Sequence, residues 1–424
     1  MNQRINRSDL LYDWNADAGD KGVAFDWGNA RLTVQDETLR DGVQGASVVD
    51  PPVADKRAFL HLVAELGVQS VDLGMPAAGA RARGDVIALA REIADSRLAL
   101  APTCAARTVE DDVRPIIDAA EASGLAIEVA TFIGSSPIRQ VVESWTLDDM
   151  VRRTESVVAC AVGAGLPVMF VTEDTTRAAP ATLAALYGAA IRAGAGRICL
   201  CDTVGHATPD GVRRLVAYVR EIVAGAGGGA IGIDWHGHRD RGLGLANCLA
   251  AIEAGVDRVH ATALGIGERV GNVEMETLLL NLTLFGAYRH PLTALPAYAS
   301  LASRIYGVGI PVGYPLVGAD AFSTGTGVHA AAIAKARAGG DDWVTEIVYS
   351  GVPASLVGRT QTVRLSPYSG HANARWWLAE HGYDAGDLAL CEALLAAAKA
   401  SDRVLTDAEI FAVVGQQQRA PGRE

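Results

Sequence analysis

The chain is short of several things, and each shortage narrows what it can be. It has only six cysteines in 424 residues (Cys104, Cys160, Cys199, Cys201, Cys248 and Cys391), scattered through apolar segments with no CxxC pair. That excludes a disulfide framework or a thiolate zinc module and suits reduced thiols in a cytoplasmic protein. No uninterrupted apolar run is long enough to span a bilayer, and the opening MNQRINRSDLLYDW lacks the apolar core of a signal peptide. Basic residues are outnumbered, 37 against 49 acidic, for a net charge of −12. A general nucleic-acid or anionic-membrane surface is therefore disfavoured. No low-complexity segment or long charge block interrupts the chain, and no GxGxxG follows the first candidate strand.

What is present is a regular beat. Short apolar, β-branched runs occur at 31–38, 68–75, 98–105, 126–133, 167–174, 197–204, 230–237 and 258–265. Between them lie segments of helical spacing such as VADKRAFLHLVAELG and PDGVRRLVAYVREIVAG. Eight strand–helix units predict an α/β fold, a (β/α)8 barrel over 31–290. Residues 1–30 are polar and read as an arm. Residues 291–424 change pattern, with a Gly/Pro/Thr-rich loop at GIPVGYPLVGADAFSTGTG and Ala-rich helical segments, and read as a smaller, mostly helical subdomain.

In such a barrel the chemistry sits at the C-terminal ends of the strands. The first strand ends in DETLRDGVQ, delivering Arg40 and Asp41; the fifth in TEDTTR, with Glu173; the sixth in CDTVGHATP, with Thr203. The seventh gives DWHGHRDRGLGLAN, whose His236 and His238 project to one side of a strand. The eighth leads into LGIGERVGN, a Gly-rich turn able to return Asn272 over the mouth. An isolated His-x-His serves polar packing as well as it serves a metal. With Asp41 it becomes a one-carboxylate, two-histidine set with open positions, suited to Mg2+, Mn2+, Zn2+ or Fe2+ as a Lewis acid. His206, His260 and His371 read as structural.

The combination TLRDGVQ, GMPAAG, EDTTR, CDTVGHATP, HGHRDRGLGLAN and GIGERVGN resembles the DRE-TIM metallolyase superfamily, in its 2-isopropylmalate synthase and homocitrate synthase branch. The likeness covers about 30–290 and continues weakly to about 380. It implies metal ligands at Asp41, His236 and His238, with Asn272 close by. It implies that Arg40 polarises a 2-oxo acid, Thr203 holds its carboxylate, Glu173 lies beside the acetyl group, and His329 of GVHAAAI takes part in acid–base chemistry. It further implies acetyl-CoA as co-substrate and a homodimer.

One position departs from the pattern: Thr324 stands where the family often has a second histidine. The oxo acid stays open. GMPAAG, with Leu73 and Met75, resembles the isopropylmalate branch and suits 2-oxoisovalerate. Arg139, ending GSSPIR, resembles the arginine that homocitrate synthases direct at the distal carboxylate of 2-oxoglutarate. A superfamily lyase acting on a hydroxyacyl-CoA and a non-catalytic paralogue are the remaining alternatives. With no separate leucine-regulatory domain expected, feedback by leucine is expected to be weak or absent.

Overall fold

In the computed structural model, which describes residues 10–11, 25–226 and 231–419, eight parallel strands close into a barrel in sequence order. They are β1 (Thr33–Asp36), β2 (Ser70–Asp72), β3 (Ala101–Arg107), β4 (Glu128–Gly134), β5 (Val168–Glu173), β6 (Arg197–Asp202), β7 (Gly232–Gly237) and β8 (Arg258–Ala261). β1 pairs with both β2 and β8, which closes the ring. Each falls on one of the eight apolar runs, and β3 begins three residues after its run does. The arm expected over 1–30 lies largely outside the described residues.

Two compact units make up the chain: Met1–Gly45, Val68–Glu274 and Leu278–Arg289 form one, and Ala46–Gly67, Met275–Thr277 and His290–Glu424 the other. In the first, helices such as Ala80–Asp95, Leu147–Gly163 and Pro209–Gly225 alternate with the strands. They bury the outward strand residues, among them Val71, Val129, Phe170, Ile198 and Trp235. Leu147–Gly163 starts on a capping box, Thr146 Oγ1 accepting from Asp149 N while the Asp149 carboxylate accepts from Thr146 N.

The strand register decides which residues look inward. Gln35 stands opposite Ser70 and His260; Ala105 opposite Ala130; Ala130 opposite Met169; Val171 opposite Cys199; Cys201 opposite His236; Asp234 opposite Arg258. Because side chains alternate along a strand, the same parity carries Asp72, Glu128, Glu173 and Arg197 to that face. A barrel interior is ordinarily filled by branched apolar residues. This one is crossed by charge.

The second unit is mostly helical, with Leu295–Tyr306, Gly327–Ala338, His371–Glu380, Leu388–Ala400 and Asp407–Arg419, and one two-residue parallel pairing, Ser323–Thr324 with Thr362–Val363. Its apolar cluster joins Trp377, Leu378, Leu394 and Ile410, and Phe59 packs on Tyr298 with ring centroids 5.0 Å apart. No helix among the described residues is long and apolar enough to cross a membrane.

Candidate active site

A cavity of about 160 Å³ opens at the C-terminal ends of the strands. Arg40, Asp41, Glu173, Thr203, His236 and His238 all line it, as do Glu37, Asp72, His260 and Arg269. Its wall between the polar groups is Met75, Ala105, Ala130, Phe132, Met169 and Val171.

The chain leaves β1 by a tight turn in which Arg40, Asp41 and Gly42 all donate their N–H to Glu37 O (3.2, 2.9 and 3.1 Å). That turn sets Arg40 and Asp41 side by side over the mouth. Three carboxylates surround the Arg40 guanidinium. Its Nε donates to Glu37 Oε2 (3.0 Å) and Asp72 Oδ2 (3.2 Å), and its Nη1 is 3.5 Å from Asp41 Oδ1. Burial alone would raise Glu37, but Arg40 and His260 outweigh it and hold that carboxyl well below its ordinary range. Asp72, buried and facing the Glu37 charge, is pushed well up instead. The two crowded acids are thus shifted in opposite directions.

Asp41, His236 and His238 converge. His236 Nε2 and His238 Nε2 lie 3.4 and 3.5 Å from Asp41 Oδ2, without hydrogen-bond geometry. Adjacent ligand atoms each about 2.1 Å from a shared ion stand about 3.0–3.4 Å apart, so the spacing fits a small divalent cation. Asn272 is brought to His238 by an antiparallel bridge; its Nδ2 donates to Ile266 O (3.1 Å), while its buried Oδ1 has no partner among the described residues. That return needs glycine: a Cβ on Gly267 would sit 2.2 Å from Asn272 Nδ2, and one on Gly271 would sit 1.8 Å from Gly265 O. Burial, then the neighbouring His236, push His238 down to about 4, so its imidazole is neutral at pH 7 and able to ligate. Burial opposes ionisation of Asp41, yet Arg40 and His236 hold it well below the carboxylate range. A buried carboxylate oxygen without a donor, with two imidazole nitrogens beside it, fits a cation.

A second trio, Glu37, His236 and His260, is also close enough to share an ion. Most of its atoms are already engaged. His260 Nε2 is hydrogen-bonded to Asp234 Oδ2 (3.1 Å) and Nδ1 approaches Glu37 Oε1 at 3.0 Å, off the hydrogen-bond axis. Glu37 also holds Arg40 and accepts from Gln35 Nε2 (2.6 Å). The Asp41 trio is the better cation site.

At the rim, Thr203 Oγ1 accepts from Asp174 N (2.8 Å), leaving its own proton to donate into the cavity. Burial pushes the Glu173 carboxyl up, against Arg139 and Arg40. Arg139, which does not line this cavity, donates to Glu143 (3.2 Å) and stands 3.7 Å from Glu173. It lines instead the adjoining cavity, which shares Phe132 and Glu173 with the first. Arg269 ties the loops together, donating to Asp240 Oδ1 (2.8 Å) and to Thr203 O (2.6 Å). His329 belongs to the other unit, on the first turn of Gly327–Ala338, where its ring stacks on Tyr349 at 4.0 Å. Sequence reasoning missed Glu37 and Asp72. Their signal was parity: Asp72 ends β2 and Glu37 directly follows β1, each in phase with the inward face.

Comparison with known proteins bears on the family and the barrel. Residues 31–302 match the HMGL-like family model. A 2-isopropylmalate synthase of Shouchella clausii is 31% identical over 363 residues, covering 84% of this chain and 67% of the relative. The homocitrate synthase AksA of Methanopyrus kandleri is 35% identical over 305 residues, covering 71% and 73%. In three dimensions the Bacillus subtilis HMG-CoA lyase superposes with a TM-score of 0.56 at 19% identity, over 66% of this chain and 96% of the lyase. At that identity the likeness speaks for the barrel alone.

Proposed function

The chain belongs to the HMGL-like family and is a condensing acyltransferase of the alkylmalate and homocitrate synthase type, and from that premise we propose that it joins acetyl-CoA to 2-oxoisovalerate. The observation that carries the reading is the convergence of Asp41, His236 and His238 beside the Arg40 guanidinium, with Asn272 bridged to His238. Asp41, His236, His238 and Asn272 would hold a divalent cation, Mg2+, Mn2+ or Zn2+, which when bound supplies Lewis-acid polarisation of the substrate ketone.

The chain's own groups do the rest. Arg40 donates to the ketone oxygen and strengthens that bond as negative charge gathers there during attack by the acetyl carbon. Its three carboxylate neighbours fix its orientation before substrate arrives. Thr203 donates its free hydroxyl proton to the oxo acid's carboxylate. Glu173, at the rim and with its carboxyl pushed up by burial, is the acidic group beside the acetyl thioester, whose weakly acidic methyl proton needs a positioned base. His329 is carried as the acid–base group of residues 291–424. Residues 31–290 are carried as the catalytic barrel, and the enzyme as a homodimer. Six free cysteines suit a reducing compartment, and the reading places the enzyme in the cytoplasm.

The apolar wall from Met75 to Val171 favours a branched aliphatic side chain over a charged one. A dicarboxylic oxo acid, 2-oxoglutarate, is the second reading, because Arg139 Nε is buried with no hydrogen-bond partner among the described residues. A thiol-release assay of acetyl-CoA against 2-oxoisovalerate, 2-oxoglutarate, pyruvate and oxaloacetate tests both. Cation-dependent release of CoA, fastest with 2-oxoisovalerate, is expected. No release with any of the four would end the condensation reading.

A further inference from the structure

The proposed condensation uses no cysteine of the chain, yet two cysteine thiols face its cavity. Cys199 and Cys201 flank Leu200 on β6, and the register with β7 sets Cys199 beside Asp234 and Cys201 beside His236 on the inward face. Their sulfurs are 3.9 Å apart. Both residues line the cavity while being only 1% and 4% exposed, with Met169 packed against them. The other four cysteines stand on separate elements: Cys104 on β3, and Cys160, Cys248 and Cys391 on three different helices.

We propose that Cys199 and Cys201 form a dithiol site for trivalent arsenicals in the wall of the catalytic cavity, and that its occupation closes the cavity to substrate. A buried neutral thiol is a poor nucleophile toward reagents that take one sulfur. Burial, then the neighbouring Cys201, push the Cys199 thiol well up, so neither alkylation nor adventitious oxidation is favoured. A reagent that takes two sulfurs at once gains from the pair being held together, the second bond forming intramolecularly.

The strand also argues against a simple disulfide. Residues two apart on a strand have Cα atoms about 6.6 Å apart, at the upper edge of what a disulfide spans. Closing the S–S bond would pucker β6 inside a closed barrel. An arsenic atom bonded to both sulfurs keeps them farther apart than a disulfide does, nearer the separation already present. The reaction is a condensation without redox change. An organoarsenous acid, RAs(OH)2, loses both hydroxyls as water, taking the two thiol protons, while two As–S bonds form and arsenic stays trivalent.

The test uses the full chain and phenylarsine oxide at one equivalent, read by intact-protein mass spectrometry. One phenylarsenic adduct per chain is expected, removed by a 1,2-dithiol and resistant to excess monothiol. Cys199→Ala and Cys201→Ala should each lose it, and the Cys→Ser pair, checked for a cooperative melt, guards against a packing artefact. Retention of the adduct in both single variants, or its formation only in urea, would overturn the site.

The adduct is independent of the proposed reaction; only its inhibitory consequence rests on that reading. Loss of CoA release in proportion to adduct formation is expected. An adduct that leaves CoA release intact overturns the closure, whereas an untreated enzyme that releases no CoA refutes the reaction and leaves the adduct result standing.

Discussion

Two clusters of buried histidine and carboxylate share the inside of one barrel and do opposite things. At the mouth, Asp41, His236, His238 and Asn272 present buried polar atoms that have no partner among the described residues. Deeper in, Asp234 accepts from Arg197 Nε (2.8 Å), Arg258 Nε (2.5 Å) and His260, and Arg258 continues to Glu128 (2.5 Å). Counting His260 as protonated, three cations there face three anions: Arg197, Arg258 and His260 against Glu37, Asp234 and Glu128. A buried polar atom left without a partner costs on the order of 1–3 kcal/mol. The mouth bears that cost at four residues, the interior ladder at one, His260 Nδ1. Residue type therefore does not distinguish a ligand site from scaffold here; hydrogen-bond satisfaction does.

The comparison breaks most sharply at the mouth. Asp41→Ala or His236→Ala should abolish cation binding and lower CoA release by about three orders of magnitude, since several kcal/mol of charge stabilisation disappear. The cooperative melt should stay near wild type. Mn2+ titration followed by calorimetry, beside the thiol-release assay, reads both; unchanged turnover in both variants would sink the cation mechanism.

Asp234→Ala should act the other way round. It strands Arg258 and His260 in a buried setting and takes the partner from the part-exposed Arg197, and breaking a buried ionic network by one partner costs about 3–5 kcal/mol. Urea unfolding should shift by that much, while the folded fraction keeps its Mn2+ affinity. A variant that unfolds normally but loses the cation would merge the two regions into one.

A smaller effect comes from His260. Burial alone would lower it, but its contacts with Asp234 and Glu37 outweigh that and raise it. A raised folded value means the native state keeps a proton that the unfolded chain gives up near pH 6.5. Its contribution is therefore complete below about pH 6.5 and is lost as pH rises through the higher folded value. Each tenfold gain in proton affinity on folding contributes about 1.4 kcal/mol. Urea midpoints of the wild type should fall across that window, and His260→Gln should flatten the slope; parallel slopes would show that His260 is neutral in the fold.

How much of this could be read from the letters differs between the two regions. Each strand was legible because a buried parallel strand is a short apolar run, and β1 to β8 all fall where those runs lie. The run that contains β3 starts early because an apolar entry, Leu98 and Leu100, continues the pattern without pairing. The mouth residues were legible from motif and strand-end position. The ladder was not, because a lone Glu37, Glu128 or Arg258 at a strand end reads as solvated. Only the register and the ion pairs together show six such residues facing one another inside the barrel.

Arg139 offers the smallest and most discriminating break. From sequence it resembled a receptor for a distal carboxylate. In the fold it is engaged by Glu143 at 3.2 Å and Glu173 at 3.7 Å, with its side chain 41% exposed. Ion pairs that open to solvent contribute about 0–1 kcal/mol, so Arg139→Ala should barely move the melt. If the apolar wall selects the substrate, KM for 2-oxoisovalerate should change by less than about fivefold, the factor that 1 kcal/mol allows. If Arg139 Nε instead reaches a second carboxylate, turnover of 2-oxoglutarate should fall by at least about tenfold, since a hydrogen bond to a charged partner is worth about 1.5–3 kcal/mol. Measuring both oxo acids on one variant separates the readings, because the Glu143 and Glu173 contacts are lost equally in each case and only the substrate's own charge differs.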